Sequence, residues 1–119
     1  MAAARRYDDL IDALGARPPI RHTDAGHVYH LYVIEVPDRD SLVERFRQQN
    51  IDVGIHYPVP IHLQRAYADL QIPSGSFPRT EDAARRIISL PMFPEITPAQ
   101  IERVAGVLKV HLERSGVRA

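Results

Sequence analysis

Hydrophobic residues repeat with a helical period in some segments of this chain and with a period of two in others, and the order of these segments restricts the fold most. Apolar residues at i, i+3, i+4 and i+7 indicate amphipathic helices, whereas strict alternation indicates half-buried strands. The predicted order is helix, strand, helix, strand, helix, helix, short strand, helix. No repeat, low-complexity tract or linker interrupts it, so the sequence predicts one layered α/β unit.

Three segments have the pattern of strands: residues 27–36, 51–57 and 89–91. The first has apolar residues on both faces, which is typical of a central strand, and His30 within it is expected to pack in the core. In the second, apolar and polar residues alternate. That alternation predicts that His56 and Tyr57 point to opposite faces of the sheet.

Five segments have the pattern of helices: residues 5–14, the stretch after the turn at 37–40, residues 63–70, residues 78–88, and the stretch after Thr97-Pro98-Ala99-Gln100. Gly15 and the prolines at 18 and 19 are expected to end the first helix. The turn carboxylates are expected to cap the second helix, and Asn50 to close it in the left-handed conformation. The last helix begins with a capping box that has proline at the first helical position. Its predicted core face consists of Ile101, Val104, Ala105, Leu108 and Leu112, with Val107 and Val110 on the outer side.

Composition excludes several classes of function. Fifteen basic and fifteen acidic side chains cancel, so no net field favours a nucleic acid or an anionic membrane as a partner. The absence of cysteine excludes a disulfide framework, a thiolate nucleophile and a sulfur-ligated zinc site. No apolar run approaches the ~18 residues of a membrane span, and the N-terminus lacks the apolar stretch of a signal peptide. The chain is therefore expected to be soluble and cytoplasmic.

Lysine is almost absent from the chain. Fourteen of the fifteen basic residues are arginine, and Lys109 is the only lysine. Chemistry that needs a lysine amine must therefore use Lys109 or be absent.

The densest cluster of polar side chains lies between residues 54 and 67, at a predicted strand-to-helix junction, where functional sites are often built. It contains the imidazoles of His56 and His62 and the phenols of Tyr57 and Tyr67. The six-residue gap between the histidines matches no usual ligand spacing, so no metal site is predicted. The sequence has neither a Gly-x-Ser-x-Gly elbow nor a phosphate-binding glycine motif. An alternative interpretation is that these residues only cap and pack a turn, with both tyrosines buried.

Four stretches, taken together in order and spacing, resemble a known family: His27-Val28-Tyr29-His30-Leu31-Tyr32, Ile55-His56-Tyr57-Pro58 with Pro60-Ile61-His62-Leu63-Gln64, Phe77-Pro78 followed by Glu81, and Ser89-Leu90-Pro91-Met92-Phe93-Pro94. They resemble the C-terminal small domain of the DegT/StrS family, the pyridoxal-phosphate-dependent aminotransferases of nucleotide sugars. The helix that carries Arg5-Arg6-Tyr7 is similar to the segment that joins the large and small domains of that family. The resemblance implies that residues 1–26 are a linker helix and loop and that residues 27–119 are the small domain.

The resemblance also implies a fold, and it implies different roles for the large and the small domain of the parent protein. The expected fold is a two-layer α/β (α+β) domain, with a small and mainly antiparallel sheet of about three strands packed against helices. In the family, a large N-terminal domain supplies the Schiff-base lysine and most of the phosphate cup, and the parent protein is a homodimer. The chain is therefore expected to be a fragment that is inactive alone and binds no pyridoxal phosphate, with no catalytic, cofactor-binding or metal-binding residue of its own.

For individual positions, the resemblance implies that His56 and Tyr57 face the substrate, with His62 a weaker candidate. Their expected role is to hydrogen-bond sugar hydroxyls or the diphosphate and to shape the pocket. A sugar dehydratase stays open beside an aminotransferase, because the deciding residue lies outside this chain. Two further hypotheses are a free-standing ligand-binding or regulatory α/β module that uses residues 54–67, and an interaction domain that uses the face of Val107 and Val110.

Overall fold

The structure is a computed structural model that describes residues 2–14, 16 and 26–116. Its helices and strands are α1 (Ala2–Asp12), β1 (Tyr32–Glu35), α2 (Arg39–Gln48), α3 (Pro78–Arg86), β2 (Ile87–Leu90) and α4 (Pro98–Arg114). Two 3₁₀ helices, Ile61–Leu63 and Arg65–Leu70, lie between α2 and α3. Most of the loop predicted after α1 lies outside the described residues.

The sheet is small and antiparallel. β1 pairs with β2 in a register that sets Tyr32 opposite Leu90. On the other edge of β2, Gly54 forms an isolated bridge with Ser89, whose N–H···O distances are 3.1 Å and 2.8 Å. The predicted fold class is confirmed, and its sheet of about three strands consists of two strands and this bridge.

Three predictions about the strands are wrong. Residues 51–57 form no strand beyond the bridge at Gly54, and the central position belongs to β2 rather than to residues 27–36. β1 is an edge strand whose second face is only half-buried, as in antiparallel sheets that cover one face. His30 is exposed and precedes β1, because Tyr29 with its φ of 50° turns the chain out of the extended conformation.

α4 is the longest helix and matches its prediction closely. Thr97 accepts a hydrogen bond from the backbone of Gln100, and the Gln100 side chain accepts one from the backbone of Thr97. The five predicted core residues are buried, and so is His111, which was not predicted and whose Nε2 lies 2.9 Å from the Pro37 carbonyl oxygen. Val110 is exposed, but Val107 is half-buried against the core, so its predicted outer position is wrong.

α1 packs on α4 and belongs to the same hydrophobic core. Tyr7 is fully buried, its hydroxyl donates to the Pro91 carbonyl at 2.9 Å, and burial raises its pKa. Tyr32 donates from its hydroxyl to Asp8 at 2.7 Å. Hydrogen bonds therefore connect the predicted linker helix to β1 and to the residue after β2. The domain boundary between residues 26 and 27 stays a prediction.

The remaining helix predictions have mixed outcomes. Asn50 follows α2 with a φ of 53°, as predicted. Asp38 precedes α2 but makes no side-chain cap, which corrects the capping prediction. α3 ends at Arg86, because the apolar residues that follow pair in β2 instead of extending the helix. Residues 61–70 form two 3₁₀ helices whose large apolar side chains are exposed, in place of one amphipathic helix.

Candidate functional site

A cleft lies beside the bridge between Gly54 and Ser89. Its volume is about 340 Å³. The lining residues are His30, Leu31, Asp52, Val53, Gly54, His56, Ser89, Leu90, Pro91 and Met92. His56 lies within hydrogen-bonding distance of β2, with its Nδ1 2.9 Å from the Ser89 Oγ. Ser89 is only 4% exposed, so a buried hydroxyl from the central strand holds an exposed imidazole at the cleft.

His56 and Tyr57 are both exposed, and their rings meet edge to face with centroids 5.6 Å apart. The prediction that they point to opposite faces is wrong, because only Gly54 in this segment pairs with the sheet. The alternative interpretation with buried tyrosines is also wrong: Tyr57 is 70% exposed and Tyr67 is 44% exposed. The structure thus brings one imidazole and one phenol together at the surface.

His62 lies in a different environment, next to a buried carboxylate. Its Nε2 is 3.0 Å from the Glu81 Oε1, and only 6% of the His62 side chain is exposed. Glu81 also accepts hydrogen bonds from the Gly75 backbone at 2.8 Å, the Ser74 hydroxyl at 3.2 Å and the Phe77 backbone at 3.3 Å. The Phe77 ring packs edge-on against the imidazole. We call these five residues the Glu81 hub.

The Glu81 hub favours the ionised carboxylate. Burial alone would raise the pKa of Glu81, but the hydrogen bonds of the hub, led by the one from Gly75, lower it below its usual value. Glu81 also lies in the first turn of α3, where the helix dipole favours a negative charge. An ionised Glu81 therefore ties the 3₁₀ segment that carries His62 to the start of α3.

Exposed apolar side chains concentrate between residues 57 and 77. Of the ten large hydrophobic residues that the described part of the chain exposes, seven lie there: Tyr57, Val59, Ile61, Leu63, Tyr67, Leu70 and Phe77. We call these seven residues the apolar strip. Single exposed hydrophobics are common, whereas contiguous exposed apolar patches mark interaction surfaces.

Lys109 lies on the exposed side of α4, where its Nζ is 4.0 Å from a carboxylate oxygen of Glu113. It is not among the residues that line the cleft. Within residues 2–14, 16 and 26–116, no three histidine or acidic side chains group as metal ligands do. None of the helices described there is long and apolar enough to cross a membrane.

The sequence did not indicate two residues of the site: Ser89, and the Glu81 carboxylate as the centre of a hub. Gly54 lies in the cluster indicated at residues 54–67, but it was assigned no role. Ser89 and Glu81 stand within the motifs quoted for the family resemblance, so the signal was present but carried no assigned role. The prediction that His56, Tyr57 and His62 contact a substrate stays a prediction.

Comparison with known proteins identifies the class. The chain matches the DegT/DnrJ/EryC1/StrS aminotransferase family over residues 1–109. It is 38% identical over 107 residues to the erythromycin biosynthesis sensory transduction protein EryC1 of Saccharopolyspora erythraea, covering 89% of this chain and 29% of that protein. It is 37% identical over 112 residues to the dTDP-3-amino-3,4,6-trideoxy-α-D-glucose transaminase of Streptomyces venezuelae, covering 94% of this chain and 30% of that enzyme.

Solved structures agree with the sequence matches. The DesV structure from S. venezuelae superimposes with a TM-score of 0.89 at 37% identity, over 95% of this chain and 31% of that one. A DegT/DnrJ/EryC1/StrS aminotransferase from Brucella abortus gives 0.83 at 30% identity, over 92% of this chain and 29% of that one. The chain belongs to the DegT/DnrJ/EryC1/StrS aminotransferase family. It spans about 30% of the length of the curated relatives it matches.

Proposed function

We propose that this chain is the C-terminal small domain of a pyridoxal-phosphate-dependent aminotransferase that acts on a nucleotide sugar, and that it supplies one wall of the substrate cleft. Family membership and the identity to a dTDP-sugar transaminase support the reaction class. The observation that carries the assignment of the wall is the exposed pair of His56 and Tyr57. The imidazole of His56 is within hydrogen-bonding distance of the buried Ser89 hydroxyl and lies next to the exposed phenol of Tyr57. Such a pair can hydrogen-bond the oxygen atoms of a ligand.

His56 and Tyr57 have the more direct roles in this proposal. Their ring nitrogen and hydroxyl would hydrogen-bond sugar hydroxyls or diphosphate oxygens and orient the sugar. His62 has a weaker and indirect role, because its ring is enclosed by the Glu81 hub. His62 would stabilise the conformation of this wall of the cleft. It would contact the substrate only after its hydrogen bond to Glu81 had broken.

The residues of this chain do not fit the anchoring of pyridoxal phosphate. Lys109 is the only lysine, and it lies on the exposed side of α4 outside the cleft. When bound, the cofactor supplies an electron sink for carbanion chemistry. In the proposed parent protein, the rest of the polypeptide would hold that cofactor, and this chain would bind and orient the sugar.

The apolar strip is proposed to contact a large N-terminal domain in the parent homodimer. The curated relatives are about three times as long as this chain, which leaves room for such a domain. An exposed strip of seven large hydrophobic residues is a surface that another folded unit would cover. The substrate site would then form between this strip, the His56 cleft and that domain.

A second candidate function is a ligand-binding or regulatory module. It is favoured by the names of two relatives, the sensory transduction protein EryC1 of S. erythraea and a pleiotropic regulatory protein of Geobacillus stearothermophilus. A module of this kind would bind its ligand without a second domain. Measuring sugar binding by this chain alone, and by its mixture with an N-terminal domain, separates the two candidates.

The proposed function can be tested by domain replacement. We would exchange the matched segment of the S. venezuelae transaminase for this chain and measure transamination. We expect the hybrid enzyme to retain its reaction. Removing one hydrogen bond to substrate with His56→Ala should raise KM about 5- to 10-fold, the equivalent of about 1–1.4 kcal/mol.

Val110→Ala serves as the matched control, because Val110 is exposed on α4 and does not line the His56 cleft. It should leave KM unchanged. A hybrid that binds the cofactor and shows no reaction with the sugar would contradict the proposed function. An unchanged KM in His56→Ala would contradict the role of His56.

A further inference from the structure

The hydrogen bond between Ser89 and His56 has a direction that the surroundings determine. Ser89 is buried, and its backbone N–H and carbonyl both pair with Gly54. Among the described residues, the one hydrogen-bond partner of the Ser89 hydroxyl is the Nδ1 of His56, at 2.9 Å. If Nδ1 donated the proton, the hydroxyl hydrogen would be buried with no acceptor, which is unfavourable.

These surroundings favour donation from the Ser89 hydroxyl to Nδ1. A neutral imidazole carries its single proton on one nitrogen, and the hydrogen bond made by one nitrogen selects the state of the other. With Nδ1 accepting from Ser89, the proton resides on Nε2. The nitrogen that is free of Ser89 is then a donor and not a base.

Gly54 makes this arrangement sterically possible. The His56 ring lies against Gly54 so closely that a Cβ there would lie 2.5 Å from Cε1 and 3.2 Å from Nδ1. The bridge between Gly54 and Ser89 keeps the glycine surface and the hydroxyl in fixed register. Any side chain at position 54 would displace the ring from Ser89.

We propose that Ser89 and Gly54 are positioning residues that hold neutral His56 as the Nε2–H tautomer, so that its Nε2 donates a hydrogen bond to the ligand of the cleft. The ligand atom is then an acceptor, namely an oxygen of a hydroxyl, phosphate or carboxylate group. The identity of that ligand rests on the proposed function. The tautomer does not rest on the proposed function, because it is a property of the chain without substrate.

The test is nitrogen NMR of the ¹⁵N-labelled 119-residue chain at alkaline pH, where the ring is neutral. We expect a protonated Nε2 and an unprotonated, hydrogen-bonded Nδ1. Ser89→Ala should shift the Nδ1 resonance to that of a nitrogen without this bond, and Ser89→Thr, which keeps the hydroxyl, should restore it. Gly54→Ala, which displaces the ring from Ser89, should shift the Nδ1 resonance in the same direction as Ser89→Ala.

A protonated Nδ1 in the unsubstituted chain would overturn the proposal, and so would an Nδ1 resonance that Ser89→Ala leaves unchanged. If Ser89→Ala does not fold, the tautomer of the unsubstituted chain decides. No substrate enters this measurement. Failure of the hybrid enzyme to transaminate would therefore not contradict the tautomer proposal. A protonated Nδ1 would not contradict the aminotransferase proposal.

Discussion

His56 and His62 are six positions apart in the sequence, yet they have opposite environments. His56 is exposed and contacts a neutral hydroxyl, whereas the side chain of His62 is buried against the carboxylate of Glu81. A buried carboxylate needs hydrogen bonds or a counter-charge, and Glu81 has four groups that donate to it or contact it. One histidine is thus available to a ligand while the other maintains the surface around it.

Glu81→Gln tests the Glu81 hub through pH. Because the folded-state pKa of Glu81 lies below its usual value, ionised Glu81 stabilises the fold above about pH 4.3, the pKa of an unperturbed glutamate. This contribution is lost as the pH falls through the folded-state pKa. We therefore expect Glu81→Gln to be less stable at pH 7 and to lose less stability than the unsubstituted chain on acidification, as measured by urea unfolding at several pH values.

Glu44→Gln is the matched control, because Glu44 is exposed and its Oε2 lies 3.9 Å from Nη1 of Arg47, a long ion pair. It should leave both the stability and its pH dependence close to those of the unsubstituted chain. If Glu81→Gln keeps the full acid sensitivity of the unsubstituted chain, the Glu81 carboxylate is not the group that titrates.

At the level of elements, local signals predicted α4 well and the 51–70 region poorly. The capping box at Thr97 and the helical spacing after it are short-range properties, so the sequence determines where α4 begins and which face is buried. Residues 51–57 alternate like a strand, but pairing needs a partner edge and only the backbone of Gly54 pairs with β2. Residues 63–70 have helical spacing, but their large apolar side chains stay exposed and are not covered by any element that the structure describes.

The site was predictable to a similar extent. The sequence indicated the 54–67 cluster and, through the family resemblance, His56 and Tyr57. It did not indicate Ser89 as a partner of His56, because the two are 33 positions apart and meet only through the bridge at Gly54. Contacts of this kind depend on tertiary structure, which periodicity does not report.

Arg39 links α2 to the end of α3, and its substitution tests that packing. The buried guanidinium donates from Nη1 to the carbonyl oxygens of Ala84 and Ile87 at 3.2 Å and 2.9 Å. Hydrogen bonds to charged groups contribute about 1.5–3 kcal/mol each, so loss of these two bonds in Arg39→Ala should lower the free energy of unfolding by about 3–6 kcal/mol. Urea denaturation followed by circular dichroism measures this loss.

Arg47→Ala is the control for this prediction, since Arg47 lies on the same helix and its side chain is 83% exposed. Its effect on the free energy of unfolding should be within about 0.5 kcal/mol. Equal effects of the two substitutions would show that the contacts of Arg39 do not stabilise the junction between α2 and α3.

For the whole molecule, one core holds α1, α2, α4 and the sheet together, while the candidate site lies at the edge of that core. Val107 and Val110 were proposed as the contact face of an interaction domain. Of these two valines, Val110 is exposed and Val107 packs on the core. The apolar strip contains seven of the ten exposed large hydrophobic residues in the described part of the chain, and it adjoins His56 in sequence through Tyr57. These exposed residues support the proposal that another folded unit completes the site.

The proposed substrate site lies between this chain and a large N-terminal domain. Calorimetric titration with a dTDP-linked sugar tests it most directly, using this chain alone, the separately produced N-terminal part of the S. venezuelae transaminase, and their mixture. We expect the mixture to bind at least about tenfold more tightly than either part, a gain of about 1.4 kcal/mol, and Ile61→Asp in the apolar strip to abolish that gain. Equally tight binding by this chain alone would contradict the claim and favour the free-standing module.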